Sequence, residues 1–313
     1  MEKIAFVFPG QGSQKLGMLS ELATQYPIVK STFDEAATVL GYNLWDITQN
    51  DEARLNQTEY TQPAILTASI AVWRIWQERS PVKPFLMAGH SLGEYSALVC
   101  AESIDFSDAL RLVQLRGQLM QTAVPKDQGA MAAILGLDDQ GVIEACNQAA
   151  QDEVVAAVNF NAPGQVVIAG KRNAVTRAIE TAKALGAKKA ILLPVSVPSH
   201  CELMRPAAES LANALESIAI HTPKIGVVQN IDATIHHSPE AIRLALVKQL
   251  CGPVQWVKSV QKLYEESCRS YIECGPGKVL TGLNRRIVSD GAFVAMDDLA
   301  GLEATLQLLS SDS

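Results

Sequence analysis

Gly89-His90-Ser91-Leu92-Gly93 is the stretch of this sequence that decides the fold. An apolar run, residues 85–88, precedes it, and residues 94–101, which have the composition of a helix, follow it. The pattern predicts a strand, a sharp turn and a helix, with a serine at the turn. This is the arrangement of a nucleophile elbow, which exposes the serine hydroxyl above a sheet. Because G-x-S-x-G also occurs by chance, the alternative is an ordinary strand-to-helix turn that happens to hold a serine.

Two backbone N–H groups are candidates for stabilising negative charge near this serine. The N–H of Leu92 lies at the positive end of the following helix, where it can stabilise an oxyanion. A buried first strand, residues 3–8, leads into the glycine-rich loop 9–17, which lacks the complete dinucleotide-binding and phosphate-binding motifs. This loop is either a plain turn or a loop that brings the N–H of Gln11 close to the catalytic centre.

Composition excludes several classes of protein. The chain has 313 residues, and its 48% hydrophobic and 19% charged content is typical of a globular protein with a substantial core. Its net charge of −7, without a long basic run, argues against nucleic-acid binding. The first apolar run is too brief for a signal peptide, and the most apolar helix, 64–76, is too short to span a bilayer. The six cysteines show no zinc-binding spacing, so we expect reduced thiols, no metal and a cytoplasmic location.

Arg116 has an unusual place on a predicted helix, residues 108–122. At about 100° per residue it falls in the middle of the apolar stripe, with the other polar residues opposite. A guanidinium that faces the core must be paired, because an unpaired buried charge is very costly. Its partner is either a carboxylate or carbonyls within the fold, or the carboxylate of a substrate held bidentately.

Residues 125–196 have an element order of their own. The pattern predicts strands at 130–135, 154–158, 165–169 and 189–195, and helices at 138–150 and 173–185. The resulting order, βαββαβ, is that of a ferredoxin-like unit. We therefore predict an inserted subdomain at 125–196, which interrupts a larger domain formed by residues 1–124 and 197–313.

His200 is the candidate base for the serine. It lies in a well-marked loop just before a predicted helix, residues 202–216. A lone histidine is more often structural than catalytic, but a serine nucleophile needs a nearby base. His90 adjoins the serine and should point away from it, and the other three histidines lie in polar loops. Cys201 is a weaker rival nucleophile, because no elbow surrounds it.

Eight motifs run in order along nearly the whole chain. They are FPGQGSQ (8–14), YTQPAI (60–65), GHSLGEYSAL (89–98), LRG (115–117), NAPGQVVIAG (161–170), VPSHCELMRPA (197–207), QLCGPVQW (249–256) and ECGPGKVL (273–280). Together they resemble the malonyl-CoA:acyl carrier protein transacylases of fatty-acid synthesis and the related acyltransferase domains of polyketide synthases. The resemblance implies an α/β fold, with a large α/β-hydrolase-like core and the ferredoxin-like insert.

The same resemblance implies roles for individual residues. Ser91 would carry the malonyl ester, and His200 would be the base that deprotonates it. The backbone N–H groups of Gln11 and Leu92 would form the oxyanion hole, and Arg116 would bind the malonyl carboxylate.

Further implications concern the histidine, the selectivity and the ligands. In this family a backbone carbonyl, matched here to Gln249, orients the histidine in place of a triad carboxylate. Ser199 stands where many malonyl-selective domains have Phe, whereas Leu92 is the malonyl-type residue after the nucleophile. The substrates implied are malonyl-CoA and holo-acyl carrier protein, with CoA as a product and with no metal or cofactor.

The resemblance, together with the serine elbow, therefore implies a malonyl-CoA:[acyl-carrier-protein] S-malonyltransferase that works through a malonyl-serine intermediate. The alternatives are a trans-acting polyketide synthase acyltransferase, a serine esterase, thioesterase or other hydrolase, and a catalytically idle carrier-docking module. Arg116 argues against hydrolysis, because a site for an anionic acyl end suits malonyl transfer. We expect a monomer whose partner is acyl carrier protein, without nucleic acid or membrane.

Overall fold

The computed structural model describes residues 3–195 and 197–310, so the parts of the predicted domains at 1–2, 196 and 311–313 lie outside the described residues. The strands are β1 (Lys3–Phe8), β2 (Leu86–Gly89), β3 (Gly129–Leu135), β4 (Val155–Ala162), β5 (Gln165–Lys171), β6 (Lys189–Leu192), β7 (Gly226–Val228), β8 (Cys268–Glu273) and β9 (Ala292–Ala295). The helices are α1 (Ser20–Gln25), α2 (Pro27–Leu40), α3 (Leu44–Asn50), α4 (Glu52–Leu55), α5 (Thr58–Arg79), α6 (Gly93–Cys100), α7 (Phe106–Thr122), α8 (Asp139–Ala150), α9 (Arg172–Ala184), α10 (Arg205–Glu216), α11 (Pro239–Cys251), α12 (Trp256–Glu265), α13 (Val279–Ile287) and α14 (Leu299–Ser310).

Five strands form a parallel sheet in the order β7-β2-β1-β8-β9. The register of β1 on β2 pairs Phe8 with Gly89, so the loop after β1 and the elbow after β2 leave the sheet side by side. The carboxyl ends of parallel strands meet at one edge of a sheet, where ligands bind in open α/β folds. The sheet thus brings two distant sequence motifs to one edge.

Both faces of this sheet are covered, as continuous apolar strands require. Successive side chains of a strand point to opposite faces. On one face Phe6 meets Trp76 of α5, with ring centroids 5.4 Å apart. On the other face its neighbours Ala5 and Val7 belong to a second buried cluster with Trp256 of α12. The first strand is therefore fixed between two layers of helices.

The other four strands form a separate antiparallel sheet, in the order β4-β5-β3-β6. Along the chain its elements are β3, α8, β4, β5, α9 and β6, which is the predicted βαββαβ order. Alanine and branched side chains of β3 and β5 pack beneath α8 and α9. The predicted fold class, α/β with a separate ferredoxin-like sheet, is confirmed. The exact boundaries of the two domains stay a prediction.

The predicted strands at 154–158 and 165–169 left a loop at 159–164, and this prediction is wrong. Strand β4 continues to Ala162, and only Pro163 and Gly164 form the turn. The strand bulges near Asn159 and does not end there. At the bulge it pairs with a segment distant in sequence: the N–H of Val254 donates to Val158 O (2.8 Å), and the N–H of Phe160 donates to Val254 O (3.0 Å). Asparagine and proline suggested a turn, but pairing with the larger domain keeps the backbone extended.

Two helices also differ from their predicted bounds. The segment predicted as one helix over 202–216 begins with a 3₁₀ turn, Glu202–Met204, before α10. The apolar segment 64–76 is the interior of the longer α5. None of the helices in the described ranges combines the length and apolarity that a membrane crossing requires.

Candidate active site

The elbow places Ser91 at the turn between β2 and α6. Its φ angle is +51°, in the left-handed region that residues with a Cβ atom seldom occupy. The turn is also tightly packed, since a Cβ atom added to Gly89 would lie 1.9 Å from the carbonyl of Gly93. A Cβ atom on Gly93 would lie 2.1 Å from the carbonyl oxygen of Phe8. Both glycines are therefore required by close backbone contacts, as a nucleophile elbow demands.

Ser91 and His200, 109 residues apart in the chain, form a hydrogen-bonded pair. Ser91 Oγ lies 2.8 Å from Nε2 of His200, and Nδ1 of the same ring lies 2.7 Å from the backbone oxygen of Gln249. A carbonyl can only accept, so Nδ1 carries the proton and Nε2 is left to accept the serine proton. Burial lowers the pKa of His200 to about 3, so the ring is neutral near pH 7. The geometry therefore leaves Nε2 free to accept the serine proton, as the predicted role of His200 needs, and the catalytic roles of Ser91 and His200 stay predictions.

Arg116 of α7 is almost fully buried beside the serine. Nη1 donates to Gln62 Oε1 at 2.8 Å, and Nη2 donates to Gln249 Oε1 at 2.9 Å and to Ser91 Oγ at 3.2 Å. Nε has no hydrogen-bond partner among the described residues. Neutral amides orient this guanidinium but do not neutralise it. Burial accordingly lowers the pKa of Arg116.

The surroundings of the guanidinium are buried and contain one carboxyl group. The Arg116 Cζ atom lies 5.4 Å from the ring centroid of Tyr95. Glu94 is completely buried nearby, and burial raises its pKa to about 8, so it keeps its proton at neutral pH. Within the described ranges, Arg116 forms no ion pair with a carboxylate. Of the partners considered for Arg116, carbonyl oxygens within the fold are therefore found, on the side chains of Gln62 and Gln249, whereas an internal carboxylate is not.

The loop after β1 lies against the elbow, as the oxyanion prediction needs. A Cβ atom on Gly10 would lie 2.3 Å from the carbonyl oxygen of His90, and the N–H of His90 donates to Phe8 O at 3.0 Å. Leu92 directly precedes α6 and so lies at its positive end. The roles of Gln11 and Leu92 as oxyanion donors stay a prediction.

His90 and Cys201, which adjoin Ser91 and His200 in the sequence, do not take part in the pair that these two residues form. Nε2 of His90 lies 2.7 Å from Asn161 Oδ1, and its ring packs near Trp256, which leaves it pointing away from the serine. The Cys201 thiol is buried and donates to Pro198 O at 3.2 Å. Burial raises the pKa of Cys201 to about 12, which keeps the thiol protonated and unreactive.

Sequence reasoning missed three buried polar residues of the site: Gln62, Glu94 and Asn230. Gln62 and Glu94 lie within motifs quoted above, where polar side chains interrupt helices that are otherwise buried. A buried polar side chain on such a helix is a signal that could have identified them. Asn230 follows a short strand and carries no comparable local signal. Among the described residues, no group of three or more His, Cys, Asp or Glu side chains could hold a metal ion.

Residues 5–301 match the family model described as acyl transferase domain. The chain is 55% identical over 309 residues to the malonyl CoA-acyl carrier protein transacylase of Escherichia coli (strain K12), covering 98% of this chain and 100% of the relative. It is 43% identical over 315 residues to the protein of the same name from Bacillus subtilis (strain 168), covering 100% and 99%.

Solved structures of malonyl-transferring proteins also match this chain over nearly its whole length. A type II polyketide synthase acyl-carrier protein in complex with its malonyl-transacylase, PlMCAT:AntF, matches with a TM-score of 0.96 at 55% identity, covering 97% of this chain and 99% of that chain. An acyl carrier protein S-malonyltransferase from Vibrio cholerae matches with a TM-score of 0.95 at 55% identity, with the same coverage.

Proposed function

This chain belongs to the acyl transferase domain family, and from that premise we propose that it transfers malonyl from malonyl-CoA to the phosphopantetheine thiol of acyl carrier protein. The full-length similarity to proteins named malonyl CoA-acyl carrier protein transacylase supports this activity. The product, malonyl-acyl carrier protein, would supply fatty-acid synthesis.

The observation that carries the proposal is the uncompensated guanidinium beside the nucleophile. Arg116 Nη2 lies 3.2 Å from Ser91 Oγ, and its other partners are the side-chain oxygens of Gln62 and Gln249. An acyl group bound to that oxygen would carry its far end close to this charge. A terminal carboxylate would then gain a charge-assisted, bidentate pair that a neutral acyl group cannot form. The site therefore favours malonyl over acetyl.

In the first half-reaction, His200 Nε2 accepts the proton of Ser91 Oγ while the oxygen attacks the thioester carbon. Negative charge develops on the carbonyl oxygen, where the N–H groups of Gln11 and Leu92 would donate to it. The intermediate then collapses with cleavage of the carbon–sulfur bond, which leaves the malonyl group on Ser91. The His200 imidazolium returns its proton to the departing CoA thiolate, since a thiolate whose conjugate acid has a pKa of about 8.5, as for a cysteine thiol, is a strong enough base to accept it.

The second half-reaction runs through the same groups in reverse. The carrier thiol gives its proton to His200 Nε2, its sulfur attacks the malonyl ester, and Ser91 Oγ leaves with that proton. The carbonyl of Gln249 holds the ring by Nδ1 in both directions, so the tautomer never has to change. Acyl exchange between oxygen and sulfur involves no change of oxidation state. We therefore propose that no redox cofactor takes part, and that no metal is needed because His200 and the oxyanion donors suffice for thioester exchange.

The carrier protein needs a local basic surface, because carriers of this type are typically acidic and this chain is acidic too. The sequence offers two candidate pairs for this surface, Lys188 with Lys189 and Arg285 with Arg286. The arginines are engaged within the fold, because Arg285 donates to Phe293 O and Arg286 donates to residues 163 and 165 of the insert. Lys188 and Lys189 are exposed at the start of β6. The lysine pair is thus the better candidate for docking. We propose a cytoplasmic monomer that meets its carrier there.

Intact mass spectrometry tests the activity directly. Incubation with malonyl-CoA should add one malonyl group to the protein, and holo-acyl carrier protein should then remove it and gain the same mass. Ser91→Ala should show no adduct. CoA release at a rate that ignores the carrier would identify a hydrolase instead, and a protein that never acquires malonyl would be an idle docking module.

A polyketide carrier is the second candidate acceptor, because one of the matching structures is a malonyl-transacylase bound to a type II polyketide synthase carrier. Transfer rates to a fatty-acid carrier and to a polyketide carrier, each measured at equal concentration, separate the two. Faster transfer to the polyketide carrier would assign the protein to that pathway.

A further inference from the structure

Ser91 keeps its disfavoured backbone conformation while both of its peptide groups are held by side chains. The N–H of Ser91 donates to Asn230 Oδ1 at 2.7 Å, and Gln249 Nε2 donates to the carbonyl oxygen of Ser91 at 2.9 Å. With φ at +51°, this residue needs surrounding contacts that fix its conformation. Such contacts are part of how a reactive side chain is aimed.

Asn230 contacts the turn on both sides of the serine. While Oδ1 accepts the N–H of Ser91, its Nδ2 donates to the carbonyl oxygen of Gly89 at 2.6 Å. A carboxamide carries a donor and an acceptor on one planar group, so a single side chain can close both bonds. The side chain is completely buried, which excludes water as a competitor for these two backbone groups. Asn230 thus bridges the strand end and the nucleophile.

The backbone of Asn230 is itself held from two directions. Its N–H donates to Glu94 Oε2 at 2.6 Å, and its carbonyl oxygen accepts the N–H of Gln255 at 3.0 Å. Glu94 belongs to the first turn of α6, the helix that starts just after Ser91. The elbow therefore supplies the carboxyl group that fixes Asn230, and Asn230 supplies the amide that fixes the elbow.

We propose that Asn230 is a positioning residue that holds Ser91 Oγ in line with His200 Nε2 for acyl transfer. This inference rests on the proposed function for its natural reaction. Without the amide, Ser91 can relax toward a commoner backbone conformation, and its oxygen moves away from the base. A displacement of about 1 Å at a reacting atom can lower the rate by roughly 10²-fold.

The test is the rate of Ser91 acylation in Asn230→Ala, measured in single turnovers over a range of malonyl-CoA concentrations up to saturation. Intact mass gives both the rate and the final fraction of protein that is acylated. We expect a rate roughly 10²-fold lower, an unchanged half-saturating concentration of malonyl-CoA and complete acylation at the end. A merely structural role would instead lower the fraction of competent protein and leave the rate per competent site unchanged.

Asn284→Ala is the matched control. Asn284 is equally buried and accepts a hydrogen bond from Trp256 Nε1 at 3.0 Å, but among the described residues it has no hydrogen bond to the elbow. Its removal should lower the thermal midpoint without slowing acylation of the folded protein. A wild-type rate per competent site in Asn230→Ala would overturn the proposal.

Two further measurements keep the outcome decisive. If Asn230→Ala does not fold, Asn230→Asp retains an acceptor for the Ser91 N–H but loses the donor to Gly89, and we expect it to be acylated about ten-fold more slowly. An unchanged rate in that variant would also overturn the proposal. A fluorophosphonate reagent reports serine reactivity without malonyl-CoA. If wild type reacts with it but not with malonyl-CoA, the proposed function fails, while slower reaction of the variants still supports the positioning role.

Discussion

Replacing Arg116 with alanine should change which acyl group this protein transfers. The substitution removes the buried charge whose Nη2 lies 3.2 Å from Ser91 Oγ. It leaves Ser91 bonded to His200 and leaves the Gln249 carbonyl on Nδ1 of that ring. The pair formed by Ser91 and His200 therefore keeps its partners, and the main loss is the charge that we propose binds a substrate carboxylate.

The size of the expected loss in malonyl transfer follows from the burial of the Arg116 guanidinium and from its neutral partners. Removal of one member of a buried charge pair costs about 3–5 kcal/mol, or roughly two to four decades in rate. No internal carboxylate of the described residues is left unpaired by the substitution, so this cost falls on malonyl and not on the resting protein. Gln62 Oε1 and Gln249 Oε1 each lose a donor, which we expect to lower stability by about 1–3 kcal/mol per group unless water replaces it.

The assay compares single-turnover acylation by malonyl-CoA and by acetyl-CoA in the same preparation. We expect the malonyl rate to fall by roughly two to four decades and the acetyl rate to be retained or to rise. Arg116→Lys should weaken the malonyl preference without abolishing it, because a point charge retains attraction but loses the planar fork. The control is Arg243→Ala, which removes an arginine whose hydrogen bonds to the described residues go to the carbonyls of Leu215 and Ile218, and it should leave the ratio of the two rates unchanged. If malonyl and acetyl rates fall together in Arg116→Ala, the arginine is a structural part of the core.

Four other outcomes are expected. His200→Ala should lower the acylation rate by about 10²–10⁴-fold with the fold intact. In wild type the pKa of His200 is lowered to about 3, so protonation of this ring should cause no loss of activity between pH 8 and pH 5. A decline with an apparent pKa near that of a free histidine would contradict its buried, neutral state. Burial raises the pKa of Glu94 to about 8 in the folded state, so this group favours the folded state at low pH, and its contribution is lost as the pH rises from the ordinary pKa of a glutamate toward 8. Glu94→Gln should therefore raise the free energy of unfolding relative to wild type at pH 8, and by less at pH 5. Chemical denaturation that shows the same difference at both pH values would refute this. Reversing the charges of Lys188 and Lys189 should raise KM for the carrier but not for malonyl-CoA. Lys83→Glu, at an exposed position in the segment that precedes β2, should change neither; equal effects of both reversals would remove the lysine pair as the docking surface.

Local sequence determined the elements of this protein wherever a pattern was strong. The apolar run, the serine between two glycines and the following helix specified the elbow, because a turn this tight excludes side chains at residues 89 and 93. The βαββαβ order of the insert was likewise readable from alternating strand and helix patterns. The end of β4 was not, since its pairing with Val254 depends on a segment about ninety residues away, and local turn residues suggested the opposite.

The sequence likewise indicated some features of the candidate site, whereas others depend on how the chain folds. Helical periodicity showed that Arg116 faces the core, but its neutral partners on α5 and α11 could be known only once those helices were packed. His200 was selected because a serine needs a base and because the family resemblance matched it, while its 2.8 Å approach to Ser91 is a property of the folded chain. Asn230 had no sequence signal at all. Parallel pairing of Ala88 with Val228 sets the register that brings its amide to a turn 139 residues earlier in the chain, and a register of that kind is fixed by the whole sheet and its covering helices, not by the residues on either side of Asn230.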